Sequence, residues 1–188
     1  MKKVFIVHRW GGYPKADWYP WLKKELETKG FEVQIPQMPN AERPKIEEWV
    51  SFLQKQIKEF DKDTFFIGHS VGCQTILRFF EKVKTNSVAG GTIFVAPWTN
   101  LSEAVTTSET DYTIAKTWLE TPINFRKAKA HSKKFVAIFS DNDPYVPLSE
   151  SKTFEQKLGA KIIIEKNKDH YDIDSGIKEL PIALNELL

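Results

Sequence analysis

Gly68-His69-Ser70-Val71-Gly72 sets a serine between two glycines, after an apolar run, Thr64-Phe65-Phe66-Ile67, and before a helix-like one, Thr75-Ile76-Leu77-Arg78-Phe79-Phe80. In that strand–turn–helix setting, G-x-S-x-G describes a sharp turn that lifts a serine hydroxyl above the end of a parallel sheet. The glycines let neighbouring backbone pass where a Cβ would clash. Read without chemistry, the same residues are a strand-to-helix turn with a capping serine. A serine hydroxyl becomes a nucleophile only when a base takes its proton and an acid orients the base. The partners to seek are a carboxylate and then a histidine, both downstream of Ser70.

Two carboxylates compete for the acid's place in Ser140-Asp141-Asn142-Asp143-Pro144-Tyr145-Val146-Pro147. Asp143 is preferred because Pro144 holds it extended and fixes the turn; Asp141 reads as a turn-capping carboxylate. The pair is spaced like the start of a calcium loop. Tyr145 and Val146 then stand where an oxygen ligand and a glycine are required, so that reading is rejected. His170 is the only histidine after Asp143 and lies in the loop following the last strand-like run. Its bland alternative is an exposed loop histidine.

The other histidines rank lower. His69 packs or hydrogen-bonds locally, His8 ends the first strand and shapes the loop after it, and His131 caps a helix end. None has a companion at metal-ligand spacing, so no metal site is expected. Acyl transfer needs donors for the developing oxyanion. The Val71 N–H is one, and the loop His8-Arg9-Trp10-Gly11-Gly12 supplies the other, from Trp10 first and Arg9 second. Trp98, Tyr145, Tyr171 and Trp10 fall near carboxyl ends of strands, where they can line a substrate pocket; core packing is the competing role for Trp98. Cys73, one helical turn beyond Ser70, reads as a small buried hydrophobe.

These residues need a scaffold. Strand-like runs at Val4–Val7, Phe31–Ile35, Thr64–Ile67, Thr92–Ala96, Phe135–Phe139 and Lys161–Ile164 are short, rich in Val, Ile and Phe, and mostly unalternated. Strands buried on both faces have that character. Amphipathic stretches intervene near Ala16–Thr28, Lys45–Phe60, Gln74–Lys84, Ile123–Ala130 and Leu148–Leu158, with a last one at Ile177–Leu187. Pro44 and Pro122 are placed in first helical turns, and Gly30 and Gly159 at helix ends. The alternation predicts an α/β fold: an open parallel sheet of about six strands, helices on both faces, one domain over residues 1–188. The connection from Pro97 to Ser132 holds a crossover helix and a short flap with Tyr112 and Trp118, leaving an open site under a minimal lid.

Composition narrows the classes. Hydrophobic residues at 41% can fill a core, and the net charge of +2 with dispersed lysine pairs offers no basic stripe for nucleic acid. No apolar run reaches the ~18 residues of a membrane span. The apolar part of Met1–Val7 is too short for a signal peptide, and His8-Arg9 stand where small residues would be needed. The single cysteine fits a reducing, cytoplasmic setting.

With those pieces in place, the chain resembles the small α/β-hydrolase family typified by retinoblastoma-binding protein 9 and its bacterial relatives. Besides Gly68–Gly72, the resemblance rests on Trp18-Tyr19-Pro20-Trp21-Leu22-Lys23-Lys24-Glu25-Leu26, Met38-Pro39-Asn40, Ile76-Leu77-Arg78-Phe79 and Asp143–Pro147. It implies an α/β-hydrolase fold with little lid, a Ser70, Asp143 and His170 triad, and no cofactor. Two departures stand out: Arg9 replaces a glycine common in relatives, and Asp169 replaces a glycine before the histidine. The expected activity is hydrolysis of small carboxylic esters, with thioesters or short peptides as related substrates. The alternative is a protein-interaction module on a hydrolase scaffold with vestigial activity.

Overall fold

The computed structural model describes residues 1–188. The apolar runs form β1 (Lys3–Val7), β2 (Glu32–Gln34), β3 (Thr64–His69), β4 (Gly91–Val95), β5 (Phe135–Ser140) and β6 (Lys161–Glu165). All pair in parallel, in the order β2-β1-β3-β4-β5-β6. β3, β4 and β5 are buried along their whole lengths, so every position there favours an apolar side chain. The edge strands are less covered and carry the exposed Gln34, Lys161 and Ile164.

The helices are α1 (Tyr19–Thr28), α2 (Ile46–Gln56), α3 (Val71–Lys82), α4 (Glu103–Thr106), α5 (Glu109–Glu120), α6 (Phe125–Lys129), α7 (Glu150–Leu158) and α8 (Pro181–Leu187). α1 packs with α8, while α2, α3, α6 and α7 contact one another in series. Right-handed crossovers put these two groups on opposite faces of the sheet. The chain leaves β1 towards β2, then returns across β1 to β3, and such a reversal opens a crevice beyond the carboxyl ends of those strands. Val7 pairs with Gly68, so the loop after β1 lies beside the turn after β3.

Gly30 and Gly159 follow α1 and α7 with φ of +82° and +70°, the left-handed ends expected of them. The prolines behave differently. Pro20 and Pro181 occupy first helical turns, whereas Pro44 precedes the extended N-cap Lys45. Pro122 forces Thr121 out of the helical region and so ends α5 instead of starting α6. The Pro97–Ser132 connection holds three helices. Trp118 is not on an open flap: it is 2% exposed, and its indole N–H donates to the Pro44 carbonyl at 2.8 Å.

This connection is fastened at both ends. Ser102 donates to the carbonyls of Tyr145 (N–H, 2.8 Å) and Pro144 (Oγ, 2.6 Å). At the other end the buried Arg78 guanidinium donates to the carbonyls of Thr121, Trp118 and Pro122, taking up acceptors left free where α5 stops. No helix is long and apolar enough to cross a membrane.

Candidate active site

β3 ends at His69 and the chain turns directly into α3 through Ser70, which is held at φ 54°, ψ −120°. That backbone is costly for a residue with a Cβ and persists only under tight packing. Ser70 N–H is bound to the Val95 carbonyl at 2.9 Å. A Cβ at Gly68 would lie 2.7 Å from the Cys73 backbone, and one at Gly72 would lie 2.2 Å from the Val7 carbonyl oxygen. Both glycines are therefore required by close backbone approach.

The loop after β5 presents Asp143. Its Oδ1 accepts the amides of Tyr145 (2.9 Å) and Val146 (3.0 Å), and its Oδ2 accepts from His170 Nδ1 at 2.8 Å. An ionised carboxylate only accepts, so the neutral imidazole carries its proton on Nδ1 and keeps a lone pair on Nε2. The Tyr145 ring stands edge-on to the imidazole, 5.1 Å between centroids. Asp141 instead accepts from the Asn167 amide at 2.9 Å. Asp169 exchanges two hydrogen bonds with Asn142 and so does not compete for His170.

Ser70 and His170 face one cleft of about 300 Å³, lined on its apolar side by Trp10, Trp98, Leu101, Val105 and Tyr145. In this conformation the Ser70 hydroxyl accepts from the Trp98 indole N–H at 3.2 Å. The Ser70 hydroxyl makes no hydrogen bond to His170 in this conformation; contacts between a nucleophile and its base commonly tighten only when substrate binds.

As the first residue of α3, Val71 has an N–H without an intrahelical acceptor, pointing out of the helix start beside Ser70. In the loop after β1, Gly11 and Gly12 donate to Ala41 and Arg9 carbonyls, while the Trp10 amide meets no backbone acceptor. Arg9 departs from expectation as an oxyanion donor: its N–H is already given to the Tyr19 hydroxyl at 3.1 Å. Its guanidinium forms a two-point pair with Asp17, at 2.9 and 3.2 Å. Tyr171 is likewise corrected. It is fully buried and donates its hydroxyl to the Phe139 carbonyl at 2.8 Å, so it lines the core instead of the pocket.

The acidic wall of the cleft is Glu42, Asp111, Asp172 and Asp174. Burial pushes the Asp172 carboxyl up, but Ser175 and the nearby Arg9 hold it below its ordinary range. Cys73 is buried, and that burial pushes its thiol well up, consistent with a packing role. His131 does not cap its helix; its Nδ1 meets the Ser87 carbonyl. No three His, Cys, Asp or Glu side chains converge as metal ligands.

Sequence reasoning missed Asp17, Tyr19 and the reach of His69. His69 Nε2 lies 2.8 Å from the His170 carbonyl, and its Nδ1 lies 2.7 Å from the Tyr19 hydroxyl. The available signal was Tyr19, a polar-tipped ring at a helix start whose hydroxyl needs partners once buried; the neighbouring Trp18 indole N–H is buried without one.

Comparison with known proteins agrees with this architecture. A family model described as serine hydrolase matches residues 4–188. The chain is 29% identical to YdeN of Bacillus subtilis over 186 residues, covering 99% of this chain and 94% of that one. It is 27% identical to the serine hydrolase RBBP9 of Rattus norvegicus over 172 residues, covering 90% and 87%. The crystal structure of the B. subtilis ydeN product superposes with a TM-score of 0.90, covering 100% of this chain and 97% of that one. Est1E from Butyrivibrio proteoclasticus shares the fold at 13% identity, with a TM-score of 0.72 and coverage of 100% and 90%. With a six-stranded parallel sheet, a strained serine turn and a match spanning nearly its whole length, this α/β-hydrolase chain belongs to the serine hydrolase family.

Proposed function

We propose that this chain hydrolyses small carboxylic esters, with thioesters and amides as related acyl substrates, through an acyl-enzyme formed on Ser70. The observation that supports it most is the Asp143–His170 Nδ1 hydrogen bond in the cleft that also holds Ser70. His170 Nε2 takes the Ser70 proton as Oγ attacks the carbonyl carbon, and the oxyanion is met by the Val71 and Trp10 amides. The protonated His170 then gives its proton to the leaving group as the carbonyl reforms. A water repeats the sequence, with His170 again as base, and releases the acid and free Ser70. Arg9 does not block this route, because its side chain is drawn to Asp17.

A fluorophosphonate probe is expected to label the wild type at Ser70, and Ser70→Ala is expected to lose both labelling and ester turnover with an unchanged melting curve. Continued labelling of that variant, by intact-mass analysis, removes Ser70 from its role.

The charge of the wall gives a preference among esters. Arg9 is neutralised by Asp17, whose side chain is fully buried, while the four carboxylates of the wall face the cleft. Esters with an anionic acyl group are expected to show kcat/KM about tenfold below neutral isosteres at low ionic strength, with the gap narrowing in salt. Equal values for the two in low-salt buffer contradict this.

A further inference from the structure

We propose that His69 and Tyr19 are positioning residues that hold His170 at Ser70, an inference that rests on the reading of His170 as base. Four groups form a chain of hydrogen bonds from the loop after β1 to the base. Arg9 N–H lies 3.1 Å from Tyr19 Oη, Tyr19 Oη lies 2.7 Å from His69 Nδ1, and His69 Nε2 lies 2.8 Å from the His170 carbonyl oxygen.

The two ends fix the direction of every proton between them. A backbone N–H can only donate, and a carbonyl oxygen can only accept. His69 must therefore carry its proton on Nε2 to meet the His170 carbonyl. Its Nδ1 is then a lone pair, which takes the Tyr19 O–H, and Tyr19 Oη in turn accepts from Arg9. No member has a choice of tautomer or rotor.

Burial makes the chain hard to rearrange. His69 and Tyr19 are fully buried, and Trp18 lies against both rings. Burial, followed by repulsion from His170, disfavours an imidazolium at His69. A second tie acts on the same loop, since Asp17 Oδ1 accepts from the Ile173 amide at 2.9 Å while gripping Arg9. The backbone around His170 needs such ties: Asn167, Asp169 and Tyr171 all have positive φ, between 42° and 57°. The variable position of the G-x-S-x-G turn thus connects nucleophile and base through the backbone of the base itself.

The test compares wild type, His69→Leu, His69→Gln and Tyr19→Phe for p-nitrophenyl acetate hydrolysis, alongside a ring-nitrogen NMR spectrum of the wild type. Leucine removes the donor, whereas the glutamine Nε2 can still reach the His170 carbonyl. The expected result is kcat lower by about 10²-fold in His69→Leu with KM little changed, since a small misplacement of a catalytic group costs about that much. Glutamine should restore most of the loss, and Tyr19→Phe should lose about tenfold. The spectrum should show His69 as the neutral Nε2–H tautomer near pH 7, a readout that needs no activity. Wild-type kcat in His69→Leu, failure of glutamine to exceed leucine, or an Nδ1–H His69 overturns the proposal. Turnover surviving in Ser70→Ala would instead defeat the hydrolase reading, and the spectrum would still decide the hydrogen-bond chain.

Discussion

Asp143→Asn is expected to lower kcat for ester hydrolysis by about 10⁴-fold, with KM and the melting curve near those of the wild type. The geometry dictates the mode of failure. Asp143 Oδ1 is held by the amides of Tyr145 and Val146, so an asparagine must keep its carbonyl oxygen there and turn its NH2 towards His170. Facing a donor, His170 Nδ1 must give up its proton, and the ring proton moves to Nε2. That is the atom required to accept the proton of Ser70. Asp141→Asn is the matched control: Asp141 meets only the Asn167 amide there, which an asparagine oxygen can still accept, so its kcat should stay within about twofold. Steady-state kinetics on both variants settle the assignment. A larger loss in Asp141→Asn would exchange the roles.

Gly72→Ala should be the most damaging small substitution in the chain, abolishing stable folding. The added Cβ would sit 2.2 Å from the Val7 carbonyl oxygen and 2.8 Å from that of His8. Both are backbone atoms at the carboxyl end of β1, where Val7 is paired with Gly68 and His8 follows directly, and neither can swing away. Moving α3 off the sheet would break the packing of a helix buried from Val71 to Phe80. A loss above about 4 kcal/mol is expected, comparable to much of a domain's stability. Gly91→Ala is the comparison, because the first atoms its Cβ meets belong to the flexible Lys134 side chain at 3.2 Å. Urea denaturation should find Gly91→Ala folded and Gly72→Ala soluble only as an expanded state. A cooperative transition near the wild-type midpoint for Gly72→Ala contradicts the argument.

The sheet was legible because β3, β4 and β5 are buried on both faces, and burial at every position writes itself as an unbroken apolar run. Ser70, Asp143 and His170 were legible for a different reason: each follows a strand, so topology brings them to one rim whatever the intervening helices do. Side-chain direction in loops leaves no such trace. Tyr171 and Trp118 looked like pocket and flap residues, but each has a polar tip that found a carbonyl in the interior. By sequence Arg9 is the second choice of oxyanion donor, and its partner Asp17 lies in a turn with φ 51° that no periodicity announces. The prolines at 44 and 122 misled because a proline restrains the residue before it as firmly as it suits a helix start.

The double fastening of the Pro97–Ser132 connection limits how such a molecule can diversify. Ser102 is tied to the two residues that follow Asp143, and Arg78 clasps the last turn of α5. New acyl preferences can therefore be grafted by exchanging only the stretch between those rivets, roughly α4 and the front of α5. Exchanges that cut through either rivet would disturb Asp143, the carboxylate proposed to orient His170, or the helix behind Ser70, the proposed nucleophile, and would trade selectivity against turnover.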